Sequence, residues 1–167
     1  MSIPPPDLPE DTAYHLQRCE GYLDLKMTTP ARAEWEKAPA DLHTHPTVEA
    51  LLMRLLVEEK NWVAARDLAR TWRERNPEDA GAWIQLAYAT RRAEGLTAAE
   101  QVLLTAREKF PKEPIIPYNL ACYACQSGRL PETRQRLNEA AGLDPMVLRL
   151  AAEDDDLQPL WMELPGP

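Results

Sequence analysis

Two thiols three residues apart, Cys122-Tyr-Ala-Cys125, are the arrangement in this 167-residue chain that most suggests chemistry. Such a pair can shuttle electrons, or supply half of a zinc site. A redox pair needs its first thiol near a helix N-terminus, where the helix dipole lowers its pKa. Here the apolar spacing puts both cysteines in the middle of a helix between Tyr118 and Gly128. A zinc site needs two further ligands. His15 and Cys19 share a helix face at four-residue spacing, but they lie about a hundred residues upstream. The favoured reading makes Cys122 and Cys125 small apolar fillers, with thiol or metal chemistry as the alternative. His43-Thr-His45 falls in a turn, and two histidines alone are a weak metal signal. Glu58-Glu59 and Asp154-Asp155-Asp156 read as solvated charge and helix capping. No Ser/His/Asp grouping, Gly-rich phosphate loop or HExxH occurs. The expectation is therefore no enzyme, no catalytic residue, no metal and no cofactor.

Composition narrows the class further. Lys and Arg number 19 against 27 Asp and Glu, a formal charge of −8. An acidic chain is a poor partner for nucleic acid or an anionic membrane. No run of about 18 uncharged apolar residues is present, so no membrane-spanning helix is expected. Three cysteines do not make a disulfide framework. The start, Met1-Ser-Ile-Pro-Pro-Pro-Asp-Leu-Pro, lacks the basic and apolar regions of a secretory signal and reads as an extended tail over residues 1–11. The expected compartment is the cytoplasm.

Any functional side chain must be positioned by a repeating element. Pro77, Pro111 and Pro145 lie 34 residues apart, since 111 − 77 = 34 and 145 − 111 = 34. Leu86 and Leu120, Ala87 and Ala121, Leu103 and Leu137, and Ala106 and Ala140 keep the same period, and Ala65 and Leu52 extend it upstream to Ala99 and Leu86. Each unit holds two apolar stripes of three- and four-residue spacing, hence two helices. Thr97-Ala98-Ala99-Glu100 has the form of a capping box for a second helix. Gly95 and Gly128 sit where a left-handed helix end is wanted, and Pro131 suits a first turn. Trp62, Trp72 and Trp83 read as core packing.

Trp83, Leu86, Ala87, Ala99, Leu103, Ala106 and Pro111 resemble the tetratricopeptide repeat pattern, W-x2-L-G-x2-Y…A-x3-F…P. Ala87 stands for the glycine and Thr90 for the tyrosine, and Pro117 takes the tryptophan column of the following repeat, shortening its first helix. The resemblance implies an all-α, right-handed α-solenoid over residues 12–152, with repeats at 14–45 (irregular, with a stunted second helix around Ala31–Ala38), 46–79, 80–113 and 114–147, and a capping helix and tail at 153–167 in which Trp161 covers exposed core.

In that family the first helices of successive repeats line a concave groove. The matching columns here are His15, Arg18, Tyr22 and Lys26, then Arg54 and Glu58, then Ile84, Gln85, Tyr88, Arg91 and Arg92, then Tyr118, Asn119, Cys122 and Gln126. The set is basic and aromatic in an acidic chain, which points to binding. Gln85 and Asn119 can hold a peptide backbone through both carboxamide groups. Thr47, Gly81 and Ile115 stand where the lysines of a chaperone-tail clamp belong, so that specificity is not expected. The resulting expectation is a binding module or scaffold that takes a peptide segment or another protein subunit. The alternatives are a secretion-type chaperone of the same fold, or a thiol or metal protein.

Overall fold

Residues 8–162 are described by a computed structural model. Of these, 79% are helical, and no strand occurs among them. Ten α-helices follow one another: α1 Glu10–Asp24, α2 Thr28–Trp35, α3 Pro46–Glu58, α4 Trp62–Arg75, α5 Ala80–Ala93, α6 Leu96–Lys109, α7 Ile115–Gln126, α8 Leu130–Leu143, α9 Val147–Glu153 and α10 Gln158–Met162. Residues 1–7 of the expected tail lie outside the described residues; of the rest, Leu8 is buried, and Glu10 and Asp11 already form the first turn of α1. Their carboxylates suit the positive end of the helix dipole. None of these helices is long and apolar enough to cross a membrane.

The chain divides into two compact units, Met1–Leu68 and Ala69–Pro167, with the boundary inside α4. In the first unit α1 packs on α2, and α3 packs on both. Leu16, Cys19 and Leu23, spaced three and four apart, put one stripe of α1 into a core with Ala31, Trp35, Val48 and Leu55. The Trp35 indole N–H donates to the Val48 carbonyl at 2.9 Å, which satisfies the one polar atom of a large buried ring. α2 is only eight residues long, short as expected, but it starts and ends three residues earlier than the expected Ala31–Ala38.

In the second unit α5 pairs with α6 and α7 with α8, and α6 also packs on α7. Ala87, Ala99, Ala106, Ala121 and Ala140 are all fully buried in one cluster with Leu103, Ile116, Leu120 and Leu137. Small side chains at these columns let helix axes come close. Pro117 falls within the first turn of α7, where its missing N–H costs nothing, and Pro131 does the same in α8. The tryptophans are less central than expected. Trp62, Trp72 and Trp83 are half-buried. Trp83 lies under the Arg73 guanidinium at 5.0 Å, with its N–H donated to the Pro77 carbonyl at 3.1 Å. Those positions suit an amphipathic ring at the edge of a core.

The helix ends correct one expectation and extend another. The capping box at Thr97–Glu100 does not form, because α6 starts at Leu96 with Gly95 before it and no side-chain cap. Glu100 instead accepts from Arg129 at 2.7 Å. Left-handed backbone occurs at Gly95 (φ 103°) and Gly128 (φ 74°), but also at Lys26 (φ 59°) and Lys60 (φ 56°). These four are spaced 34, 35 and 33 residues apart, from 60 − 26, 95 − 60 and 128 − 95. The turn recurs with the repeat even where glycine does not.

A side chain in left-handed backbone costs roughly 1–2 kcal/mol, and glycine gives back part of that gain through its freer unfolded chain. Lys60→Gly should therefore raise stability by about 0.5–1 kcal/mol in denaturant titration. Leu86→Ala removes a buried side chain from the second unit and should cost about 2–5 kcal/mol in the same measurement.

Candidate binding site

The second unit brings Arg91 of α5 and Tyr118, Cys122 and Gln126 of α7 against a segment of its own chain. Tyr118, Cys122 and Gln126 recur every four residues and so form one stripe along α7. Arg91 stands near the end of α5. After α9 the backbone turns at Asp154 into a single 3-10 turn, Asp155–Leu157, which packs on α7. The Tyr118 hydroxyl donates to Asp154 Oδ2 at 2.5 Å, and the Cys122 thiol reaches the same oxygen at 3.6 Å. The Arg91 guanidinium donates to both oxygens of Asp156, the Nη2–Oδ1 bond measuring 2.9 Å. The Gln126 carboxamide donates to the Asp156 backbone carbonyl at 2.9 Å. Leu157 is fully buried, and Asp155 faces solvent.

The electrostatics follow from this geometry. Arg91 also lies over the Tyr123 ring at 5.3 Å, which gives the guanidinium a second, π-type contact. Burial raises the Tyr123 phenol to about 12. Burial, and then the Asp154 hydrogen bond, push the Tyr118 phenol well above its ordinary value, so it stays a donor. The Cys122 thiol is likewise pushed far up, by burial first and then by the charges of Asp154 and Asp156. This is the reverse of what a nucleophilic or metal-binding thiol needs. Cys125 is also buried.

Cys122, Asp154 and Asp156 offer three ligand atoms within 4.8 Å of one another. Each is already committed. Both oxygens of Asp156 face Arg91, and Asp154 accepts from Tyr118 through one oxygen and from the Asp156 N–H, at 2.9 Å, through the other. A divalent ion would have to displace a guanidinium and deprotonate a disfavoured thiol, so the donor set does not fit a metal.

The expected site residues thus divide. Arg91, Tyr118 and Cys122 come together in the second unit, with Gln126 beside them. Tyr118 and Cys122 are buried rather than lining an open surface. Gln85 and Asn119 are half-buried on the same two helices. Tyr88 and Arg92 are exposed, with the Arg92 guanidinium 5.6 Å from the Tyr88 ring centre. In the first unit Arg18 and Tyr22 belong to a separate cluster, and Arg54 reaches across from α3 to Asp24 at 2.8 Å and Glu20 at 3.6 Å. Sequence reasoning missed Asp154 and Asp156, which it assigned to solvated charge; only Asp155 is exposed that way. Part of the capping role does hold, since Asp154 accepts the Asp156 N–H at the start of the 3-10 turn. The available signal was an acidic run in a chain whose groove columns are basic.

Sequence reasoning also missed Glu59, which takes both prongs of Arg32 at 2.8 and 2.6 Å instead of facing water, and Glu34. Glu34 is buried on α2, where His15 Nδ1 donates at 2.7 Å, Arg18 Nε at 3.1 Å and Lys37 Nζ at 3.1 Å. Arg18 is itself held between Tyr14 and Tyr22, 5.7 Å from each ring centre. His15 is therefore turned toward a carboxylate, and Cys19, fully buried, has its thiol raised to about 11 by burial, so the two do not make a metal pair. His43 and His45 have structural work too. His43 donates to the Ala38 carbonyl at 3.0 Å and packs on Trp35 at 4.6 Å, while His45 Nδ1 accepts the Thr47 N–H at 3.2 Å and caps α3.

No model of a known protein family matches this chain, and no curated protein matches it.

The hydrogen bond from His15, followed by those from Lys37 and Arg18, outweighs burial and lowers the Glu34 carboxyl from 4.5 to about 2. A lowered folded-state pKa contributes stability that is complete above the unfolded value and is lost as the pH falls through the folded one. Glu34→Gln should cost about 1 kcal/mol at neutral pH, because it removes the charged acceptor of the His15 hydrogen bond, while the half-exposed Arg18 and Lys37 can turn to water. The gap between wild type and variant should close as the pH falls from 4.5 toward 2. Denaturant titrations at a series of pH values measure this; a pH-independent gap would place the effect in packing alone.

Proposed function

We propose that this chain is a non-enzymatic protein–protein interaction module, a right-handed solenoid of about four tetratricopeptide-type helix hairpins ending in a C-terminal capping helix. In this reading it serves as a cytoplasmic scaffold, and the face made by α5 and α7 takes a peptide segment or subunit of a partner protein. One observation carries the reading: the side chains that the repeat columns mark for ligand contact, Arg91, Tyr118, Cys122 and Gln126, hold a stretch of polypeptide, through both its side chains and its backbone. The buried, protonated Cys122 thiol and the committed carboxylates around it argue against thiol or metal chemistry.

The test has two steps. Affinity capture with the full-length protein, read by mass spectrometry, identifies the partner. Calorimetric titration then compares wild type with Asn119→Ala and with Arg92→Glu, both of which leave the Arg91–Asp156 pair untouched. Asn119→Ala should weaken binding by roughly 1–3 kcal/mol if it leaves a peptide group unpaired. Arg92→Glu should weaken it more at low salt than at high salt, because exposed charges are screened over about 8–10 Å. Wild-type affinity in both variants would move the site off this face.

A further inference from the structure

We infer that the α5–α7 face of the second unit is a receptor for acidic segments of the form Asp-x-Asp-Leu on a partner protein, and that the chain's own residues 154–157 are a built-in ligand which such a segment displaces. The inference rests on the interaction-module reading and names the chemistry of the partner.

The contacts have the pattern of recognition. Positions 154 and 156 turn inward, 155 turns out, and 157 turns in. Each inward group meets a dedicated counterpart: Tyr118 for the first carboxylate, a two-pronged guanidinium for the second, and the apolar core for Leu157. Gln126 reads the backbone between them. An Arg–carboxylate fork is selective for a planar anion. A segment with Asn in place of Asp, or with a polar residue in place of Leu, loses these terms.

The same contacts are suited to exchange. The segment consists of one 3-10 turn and the five-residue α10, anchored in the core by Leu157 and Leu160, and both elements are too short to persist without their docking surface. The side chains of Arg91 and Asp156 are 23% and 28% exposed, so water and an incoming carboxylate can reach the pair. Charge complementarity favours an acidic occupant on this face although the chain as a whole carries −8. Because the resident segment is tethered, it competes at high effective concentration. Wild-type protein should therefore bind a free acidic segment weakly, and releasing the tethered one should unmask the affinity.

The probe is a fluorescein-labelled peptide of residues 153–160, Glu-Asp-Asp-Asp-Leu-Gln-Pro-Leu, titrated by fluorescence anisotropy into full-length proteins. Asp154→Lys/Asp156→Lys, which sets cations against Arg91, should bind it at least about tenfold more tightly than wild type. Adding Arg91→Glu should abolish that gain, and a peptide with Asn at both inward positions should not bind. Circular dichroism checks that each variant keeps its helices. Hydrogen exchange on the unmutated protein gives a second readout that requires no variant to fold. Saturating peptide should increase deuterium uptake across residues 154–162 and decrease it across α7. Unchanged exchange with no tighter binding by the Lys variant overturns the inference. So does an Arg91-dependent dimer in light scattering, which would make the occupant a second copy exchanging its own segment. A captured partner that binds through Asn119 and Arg92, yet is not displaced by the peptide, would refute the acidic-segment inference while leaving the interaction module standing.

Discussion

Helices in a hairpin approach one another only as closely as the side chains at their contact allow, and in the second unit alanine sets that limit. Ala87, Ala99, Ala106, Ala121 and Ala140 are fully buried, and they recur with the 34-residue period. The close approach has a consequence for chemistry. It places Arg91 of α5 and the Tyr118–Cys122–Gln126 stripe of α7 where both contact one short segment. A larger residue at Ala87 or Ala121 would force the helices apart or strain their rotamers, and the fork on Asp156 would lose its geometry.

The two units handle buried charge in related ways. In the first, one carboxylate, Glu34, sits among an imidazole, a guanidinium and an ammonium group. In the second, Arg91 meets Asp156 while Asp154 receives a phenol and a backbone N–H. Neither arrangement leaves the carboxylate without donors, which a buried charge cannot tolerate. The difference lies in sequence separation. Glu34 draws its partners from within 19 residues, all in helices α1 and α2 or just after them, so its cluster forms with the local hairpin. Arg91 and Asp156 are 65 residues apart, so their pair depends on everything folded between them. The C-terminal segment joins α7 last in chain order, and that asymmetry makes it, rather than the Glu34 cluster, the candidate for exchange, at the cost of withdrawing Leu157 and Leu160 from the core.

Periodicity determined much of the architecture by itself. The helix pairs around Leu86, Leu103, Leu120 and Leu137, the alanine columns and the first-turn prolines follow from spacing, because a helix face is a local property of three- and four-residue steps. The shortness of α2 was legible, but its bounds were not: it runs over Thr28–Trp35 rather than Ala31–Ala38, and ends at Trp35 rather than against Pro39. Spacing alone did not single out Arg91, Tyr118 and Cys122; only the resemblance to the tetratricopeptide pattern marked them as columns of one expected binding face. Tertiary structure decided what local rules cannot reach. Lys26 and Lys60 carry no sign of left-handed backbone in their own chemistry; the recurring turn imposes it. Thr97 and Glu100 have the form of a cap, but the helix starts at Leu96 and Glu100 is drawn to Arg129. Above all, Asp154 and Asp156 look like any solvated acidic run until the end of the chain is laid on α7. Whether a charged side chain meets water or a counter-charge depends on which distant segment arrives beside it, and no spacing within the run records that.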